Sequence, residues 1–574
     1  MAQTFYITTA IDYTNGAPHI GHAYEKVLAD VIARYQRMKT DADGKRQEVF
    51  FLTGVDQHGQ KVQQSAEKQG VPPQQFVDEI TKKFVALWDK LDVRYDRWAA
   101  TTDPLHKECV GKILTRLKDE GQLYKAKQGG FYSVRQEQFL TDKERNEQGE
   151  FGPEWGEVEF REEENYYFKL GEHKKWLLDL IDKREDFVTP GFRRTELRNA
   201  VEKLTGDLCV SRPKSRLAWG IEFPFDPEFV TYVWFDALVN YISFAGYDPK
   251  TRDEGGGMRD EKSQAASPQG EEQSAEGGAK TSSLIPHPSS FSSLWPPLHV
   301  IGKDIMIPAH GVYWPVMLKA LGFSDDEMPT LLVHGWWNIA GAKMSKSTGN
   351  IVDPDALADK YGAETLRYYL MSDIATGRDS DFSEERLVMR YNTDLANSLG
   401  NLLNRTLNMA AKYRGGTLKG NPKRDDYLAL VVKDGEEGYY DVVTRAGVDV
   451  ELYERTLLRH SPSEALEAAL EIARSSNFYV DVTAPWKLAK DPAQADKLDA
   501  VLYALAESLR IIAILISPVL PKAACGILDQ LDPEGNLSRD FRLADATWGG
   551  LKDGHVVGKP VPLFPRIEPP AQPQ

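Results

Sequence analysis

Phe5–His22 reads FYITTAIDYTNGAPHIGH. Phe5, Ile7 and Ile11 with Tyr6, Thr8 and Thr9 make a buried strand rich in β-branched and aromatic side chains. Asn15, Gly16 and Pro18 break it. From Ala23 the spacing turns helical, with Tyr24, Val27, Leu28, Val31, Ile32 and Tyr35 on one face. His19-Ile20-Gly21-His22 therefore falls where a strand meets a helix N-terminus. Unpaired backbone N–H groups and the positive end of the helix dipole suit that place to phosphate. Gly21 leaves room for a ligand against the backbone, and two imidazoles can donate to phosphoryl oxygens. With 11 His and 45 Gly in 574 residues, chance seldom produces H-x-G-H. The plain alternative is a pair of surface histidines capping a helix.

A second stretch favours phosphate. Lys343-Met344-Ser345-Lys346-Ser347 lies between Gly341 and Gly349. Two lysines on a Gly-flanked loop can bring ammonium charge to a polyphosphate as charge develops there. Between these stretches the chain alternates apolar strands with loops. Glu48–Leu52 is a strand followed by the loop Thr53–Gly59. Ligands of doubly wound sheets bind beyond the carboxyl ends of strands, so Asp56 either pairs with a cationic group or caps the next helix. Thr231–Asp236 reads as a strand, followed by a helix carrying Ala237, Leu238, Tyr241 and Ile242. Leu298–Asp304 is strand then loop, and Thr330–Gly335 is the strand before the lysine loop. His310 and Trp314 share a helical face.

Composition bounds the class. A chain of 574 residues with 41% hydrophobic and 27% charged content is an ordinary globular protein of three or four domains. No apolar run is long enough to span a bilayer, and the start lacks a secretory pattern. Cys109, Cys209 and Cys525 are scattered and odd in number, forming neither disulfide framework nor metal knuckle. A cytoplasmic location is expected. The net charge of −16 weighs mildly against nucleic acid, although a local basic and aromatic face is enough to read a folded RNA. About 249–293 is rich in Gly, Ser, Glu, Gln and Pro and is expected to be a disordered surface insertion.

Taken together, ITTAIDYTNGAPHIGH, FFLTGVDQHG, YVWFDALVNYI, HVIGKDI, LLVHGWW, GAKMSKSTGN and YVDVTAPWKLAK resemble the methionyl-tRNA synthetases, a family of class I aminoacyl-tRNA synthetases, over nearly the whole chain. The resemblance implies a multidomain α/β protein: a Rossmann-type parallel-sheet catalytic domain split by a connective insertion, followed by an all-α anticodon-binding bundle. The expected parts are 1–117 and 229–320 for the catalytic halves and 118–228 for the insertion over the acceptor end. A stem-contact region at 321–388, the helical domain at 389–550 and a Pro-rich tail at 551–574 follow.

It also implies site residues. His19, His22, Lys343 and Lys346 would be catalytic. ATP would meet His19, Gly21, His22, Gly302, Asp304, His334, Lys343, Met344 and Lys346. Methionine would meet Ile11, Tyr13, Asp56, Trp234, Ala237, Tyr241, His310 and Trp314, with Asp56 on its ammonium; a thioether suits aromatic walls. The link from Gly302 to His310 is one residue longer than in most relatives. Asn401, Arg405 and Trp486 would read the anticodon of tRNA(Met). ATP would bring Mg2+. Many relatives hold zinc in the insertion, but here Ser133, Gln136, Gly152 and Trp155 stand at the ligand places, so no zinc is expected. A monomer is expected, since no dimerising barrel follows the bundle.

Three other readings fit part of the pattern. A synthetase for another apolar amino acid generally carries a larger editing insertion than Tyr124–Pro224. A smaller nucleotidylyltransferase can share H-x-G-H without the helical tRNA domain. A non-catalytic tRNA-binding paralogue would have no need of both phosphate clamps.

Overall fold

The computed structural model describes residues 4–133, 138–140, 144–146, 148–249, 291–339, 341–343, 351–420, 427–433 and 436–568. Seven parallel strands form the central sheet: β1 (Phe5–Thr9), β2 (Asp12–Tyr13), β3 (Val49–Asp56), β4 (Arg97–Ala100), β5 (Val188–Thr189), β6 (Leu298–Gly302) and β7 (Thr330–His334). β1 lies between β3 and β6, with Ile7 beside Phe51 on one side and Leu298 on the other. β2 extends the β1 side of β3, β4 covers its other edge, and β7 and β5 follow β6. Tyr6, Ile7, Thr8 and Thr9 are all buried, as a strand covered on both faces by helices requires. Helix α1 (Ile20–Met38) packs across β1 and β3. All the strand ends that carry candidate site residues open on one edge of the sheet.

The insertion is strand-rich, with Leu123–Ser133 and Val158–Phe168 paired antiparallel, and a helix spans Lys174–Lys183. Asp103 caps Pro104–Asp119, and Asp353 caps Pro354–Tyr361.

Other expectations need correction. Thr231–Asp236 is not a strand: Asp226–Thr231 is, and helix α2 (Val233–Ser243) begins inside the apolar run. A short apolar run satisfies either period, so it does not choose. Part of the insertion also returns to the catalytic sheet, where Val188–Thr189 pairs with Leu331–Leu332 of β7. The C-terminal region comprises α3 (Asn401–Arg414), α4 (Val442–Leu458), α5 (Pro462–Thr483), α6 (Ala495–Ile516) and α7 (Pro521–Leu531). It is not all helix, because Leu428–Lys433 and Glu436–Asp441 form a hairpin before α4. Asp434-Gly435 between apolar stretches is the sequence signal for it.

Most of the expected disordered insertion lies outside the described residues. Its C-terminal bound moves, since Phe291–Leu294 is helical and Phe291 stacks on Trp295 and contacts Tyr247 at 5.4 Å. The chain therefore leaves and re-enters one aromatic cluster. Replacing residues 251–290 with a short Gly-Ser linker should leave folding and aminoacylation intact, because loop length costs little entropy. A soluble deletion variant with lost aminoacylation would show that the segment has a function.

Candidate active site

His19 and His22 close the N-terminus of α1 on themselves. The His19 Nδ1 accepts from the Gly21 N–H at 3.1 Å, and the His22 Nδ1 accepts from the His19 N–H at 3.0 Å. Their rings stack at 3.8 Å. This capping box is built from imidazoles in place of hydroxyl and carboxylate. An accepting Nδ1 carries no proton, so each neutral ring keeps its N–H at Nε2. The helix cap expected as the plain alternative is thus formed, with the Nδ1 of each ring serving the helix end. A Cβ on Gly21 would lie 3.0 Å from the His19 Cε1, so a larger residue would press on the ring.

These two rings line a cavity of about 380 Å3 beyond the strand ends. The same cavity gathers Ile11, Tyr13, Gly21, Asp56, Trp234, Ala237, Tyr241, Gly302, Asp304, His310 and His334. Sequence-distant candidates thus meet in one place.

The apolar side is held by a relay of neutral rings. The His310 Nδ1–H donates to the Ile305 carbonyl at 2.9 Å, leaving Nε2 to accept from the Tyr241 hydroxyl at 2.7 Å. Burial holds His310 down to about 4, so this wall stays uncharged. The segment Met306–Tyr313 makes wide i→i+5 turns, broken by extended backbone at Ile307 (φ −113°, ψ 123°). This irregular segment delivers His310 to Tyr241. Trp314 needs correction as a direct methionine contact. It is fully buried behind Tyr241 (5.8 Å between rings), and its indole N–H donates to the His299 Nε2 at 3.0 Å.

Under the cavity lies a network that the sequence reading missed. Lys26 is completely buried on α1, and its Nζ donates to the Ala10 carbonyl (2.8 Å), Asp12 (2.7 Å) and Glu25 (3.0 Å). Burial raises Asp12 to about 7, against the pull of Lys26. The other Glu25 oxygen meets the His334 Nε2 at 3.1 Å, while the His334 Nδ1–H donates to the Gly335 carbonyl at 2.8 Å. Both His334 nitrogens are thus engaged within the protein. His334 lines the cavity, as its expected place beside ATP requires. Lys26 follows His22 by one helical turn, which is the signal that could have found it.

Asp236 is the second missed group. Burial would raise it, but the His58 Nδ1 (2.6 Å) and the His106 Nε2 (2.8 Å) hold it down to about 2. It ties the loop after β3 and helix Pro104–Asp119 to α2, within two residues of both Asp56 and Trp234. A lone acid inside the apolar run VWFDALV was its mark.

Lys343 lies in the strand Ala342–Lys343, paired with Trp337–Ile339, while Met344 and Lys346 fall outside the described residues. In the insertion, the Ser133 hydroxyl donates to the Trp155 carbonyl, and Arg145 stacks on Phe131 and Phe151. Gln136 is outside the described residues. In the bundle, Asn401 bonds to Asn477 (3.3 Å) and Arg405 to Asp481 (2.7 Å) on α5. Trp486 beyond α5 is 41% exposed. Phe478, between those α5 partners, is also exposed and packs on Tyr440 of the hairpin at 5.3 Å. It was not singled out from the sequence.

A parallel sheet with a two-histidine helix cap after β1 and the sequence Lys-Met-Ser-Lys-Ser after β7 defines a class I aminoacyl-tRNA synthetase. A family profile described as tRNA synthetases class I (M) matches residues 5–149 and 155–407. The chain is 39% identical over 570 residues to a methionine–tRNA ligase of Caldanaerobacter subterraneus, covering 99% of this chain and 80% of the relative. It is 38% identical over 573 residues to that of Deinococcus radiodurans, with 99% and 75% covered. The Mycobacterium tuberculosis methionyl-tRNA synthetase in complex with methionyl-adenylate superposes with a TM-score of 0.80 at 34% identity, with 98% of this chain and 100% of that one covered. The chain belongs to the methionine–tRNA ligase family.

Proposed function

We propose that the cleft activates L-methionine with ATP and passes it to the 3′ end of tRNA(Met), initiator included, with the following division of labour. The methionine carboxylate attacks the α-phosphorus in line and pyrophosphate leaves; positioning and electrostatics supply most of the rate. The Nε2–H groups of His19 and His22 hold phosphate oxygens, with Gly21 giving close approach. Lys343 and Lys346, flanking Met344, neutralise charge on the departing pyrophosphate. Gly302 and Asp304 take the ribose, and Glu25, Lys26 and His334 keep the wall behind the nucleotide rigid. Asp56 takes the α-ammonium, and Ile11, Tyr13, Trp234, Ala237, Tyr241 and His310 enclose the thioether. Magnesium enters with the triphosphate, and the substrates place the reaction in the cytoplasm. The observation that carries this reading is the imidazole capping box, which aims two N–H donors from one helix end. Charging of tRNA(Met) with radiolabelled methionine tests it, and failure to charge would refute it.

Two predictions belong to this reading. Purified protein should contain no stoichiometric zinc, because Ser133, Gln136, Gly152 and Trp155 are not usual zinc ligands. Elemental analysis showing one zinc per chain would contradict it. Trp486→Ala should reduce aminoacylation about 5- to 150-fold, the worth of one stacked base, with much smaller loss in pyrophosphate exchange. Asn401→Ala and Arg405→Ala should behave alike. Equal loss in both assays would place Trp486 in the structural core.

A further inference from the structure

The cavity wall holds four acids, and the buried Lys26 offsets two of them, Asp12 and Glu25. Asp12, Glu25, Asp56 and Asp304 are in its wall, and among the described residues Lys61 is the lone lysine or arginine there. Neighbouring lysines are committed elsewhere, Lys26 to Asp12 and Glu25, and Lys303 to Asp379. Lys61 makes no ion pair or hydrogen bond with the described residues.

Its position is built. Lys61 lies in the first turn of helix Gln60–Gln69, directly after β3. Gly59 starts that helix at φ 109°, and a Cβ there would stand 2.7 Å from the Tyr13 hydroxyl. The Gln63 side-chain oxygen accepts from the N–H groups of Ala218 and Trp219 at 3.1 and 3.3 Å. The Gly59 N–H donates to the Trp219 carbonyl at 3.3 Å. Lys61 is thereby fixed at the β3 side of the cavity, beside the end of the insertion. In the sheet, β3, which leads to Lys61, flanks β1 on one side, and β6 and β7, which lead to Gly302 and His334, lie on the other.

We propose that Lys61 pairs with a backbone phosphate at the acceptor end of tRNA during aminoacyl transfer. This rests on the function proposed above. In transfer, the oxygen of the terminal ribose hydroxyl bonds to the acyl carbon. The bond from that carbon to the phosphate oxygen of the adenylate breaks, its electron pair leaves with AMP, and the hydroxyl proton passes to that phosphate or to water. Lys61 takes no proton. It is a positioning residue that offsets the repulsion between a phosphodiester and the acidic wall.

The test compares Lys61→Ala and Lys61→Arg with the wild type in methionine-dependent pyrophosphate exchange and in single-turnover transfer from preformed adenylate. Lys61→Ala should lose about tenfold or more in transfer beyond any loss in exchange, the worth of one charge-assisted contact. The tRNA KM should rise, the salt dependence of transfer should flatten, and Lys61→Arg should recover most of the rate. Equal losses in both assays would assign Lys61 to the adenylate or triphosphate and overturn the proposal. An undiminished transfer rate in Lys61→Ala would do the same. Wild-type exchange and charging separate this outcome from failure of the functional reading itself.

Discussion

Arg367→Met should destabilise the protein by about 3–5 kcal/mol, as removal of one partner from a buried ion pair does. Arg367 is completely buried between the catalytic domain and the bundle. Its guanidinium donates to Asp30 on α1 (2.7 Å) and to the carbonyls of Leu91 (3.0 Å), Pro518 (2.8 Å) and Val519 (2.8 Å). The substitution leaves three carbonyls without their donor and Asp30 with Arg34 as its remaining side-chain partner (2.8 Å). Adding Asp30→Asn should cost less than it does in the wild type, because the Asp30–Arg367 pair is already gone. Urea unfolding followed by tryptophan fluorescence measures it. A change below about 1 kcal/mol would mean the pair is not what joins these parts.

His22→Asn should slow adenylate formation about 30- to 900-fold, equivalent to 2–4 kcal/mol of transition-state stabilisation. Asparagine places an oxygen near the position of the His22 Nδ1, so it can still accept from the His19 N–H, but it has no group at Nε2. Stability should therefore change little while the rate collapses. His22→Gln, whose amide nitrogen reaches toward the Nε2 position, should lose less. His19 should follow the same pattern. If His22→Asn activates methionine at the wild-type rate, the imidazoles are caps and nothing more. Thermal melts alongside the rates separate lost chemistry from a frayed helix.

The local strand-to-helix switch at Phe5–His22 was legible because a continuous β-branched and aromatic run gives way, across Asn15, Gly16 and Pro18, to a 3.6-residue period. The His cap was legible for a related reason: its partners lie within one helical turn. What the sequence hid is non-local. Lys26 looks like any helix cation until the fold brings Asp12 and the Ala10 carbonyl over it. Asp236 becomes a tie only when His58 and His106 arrive from two other elements. Trp314 and His334 sit at the expected places, yet their polar atoms are already taken by His299, Glu25 and Gly335. The VWFD run failed for a different reason, since a few apolar residues fit either a strand or a buried helix. The hairpin after α3 carried a readable turn pair, which the helical context on both sides overshadowed.

The most direct measurement is ATP–pyrophosphate exchange driven by single amino acids, without tRNA. The neutral His310–Tyr241 wall and the acid at Asp56 predict rapid exchange with L-methionine and rates lower by tenfold or more with leucine, isoleucine and valine, which lack a thioether for the aromatic wall. Exchange should also vanish with methionine lacking its α-ammonium. Exchange driven equally by leucine, or absent with methionine in a folded protein, would contradict the assignment of this cleft.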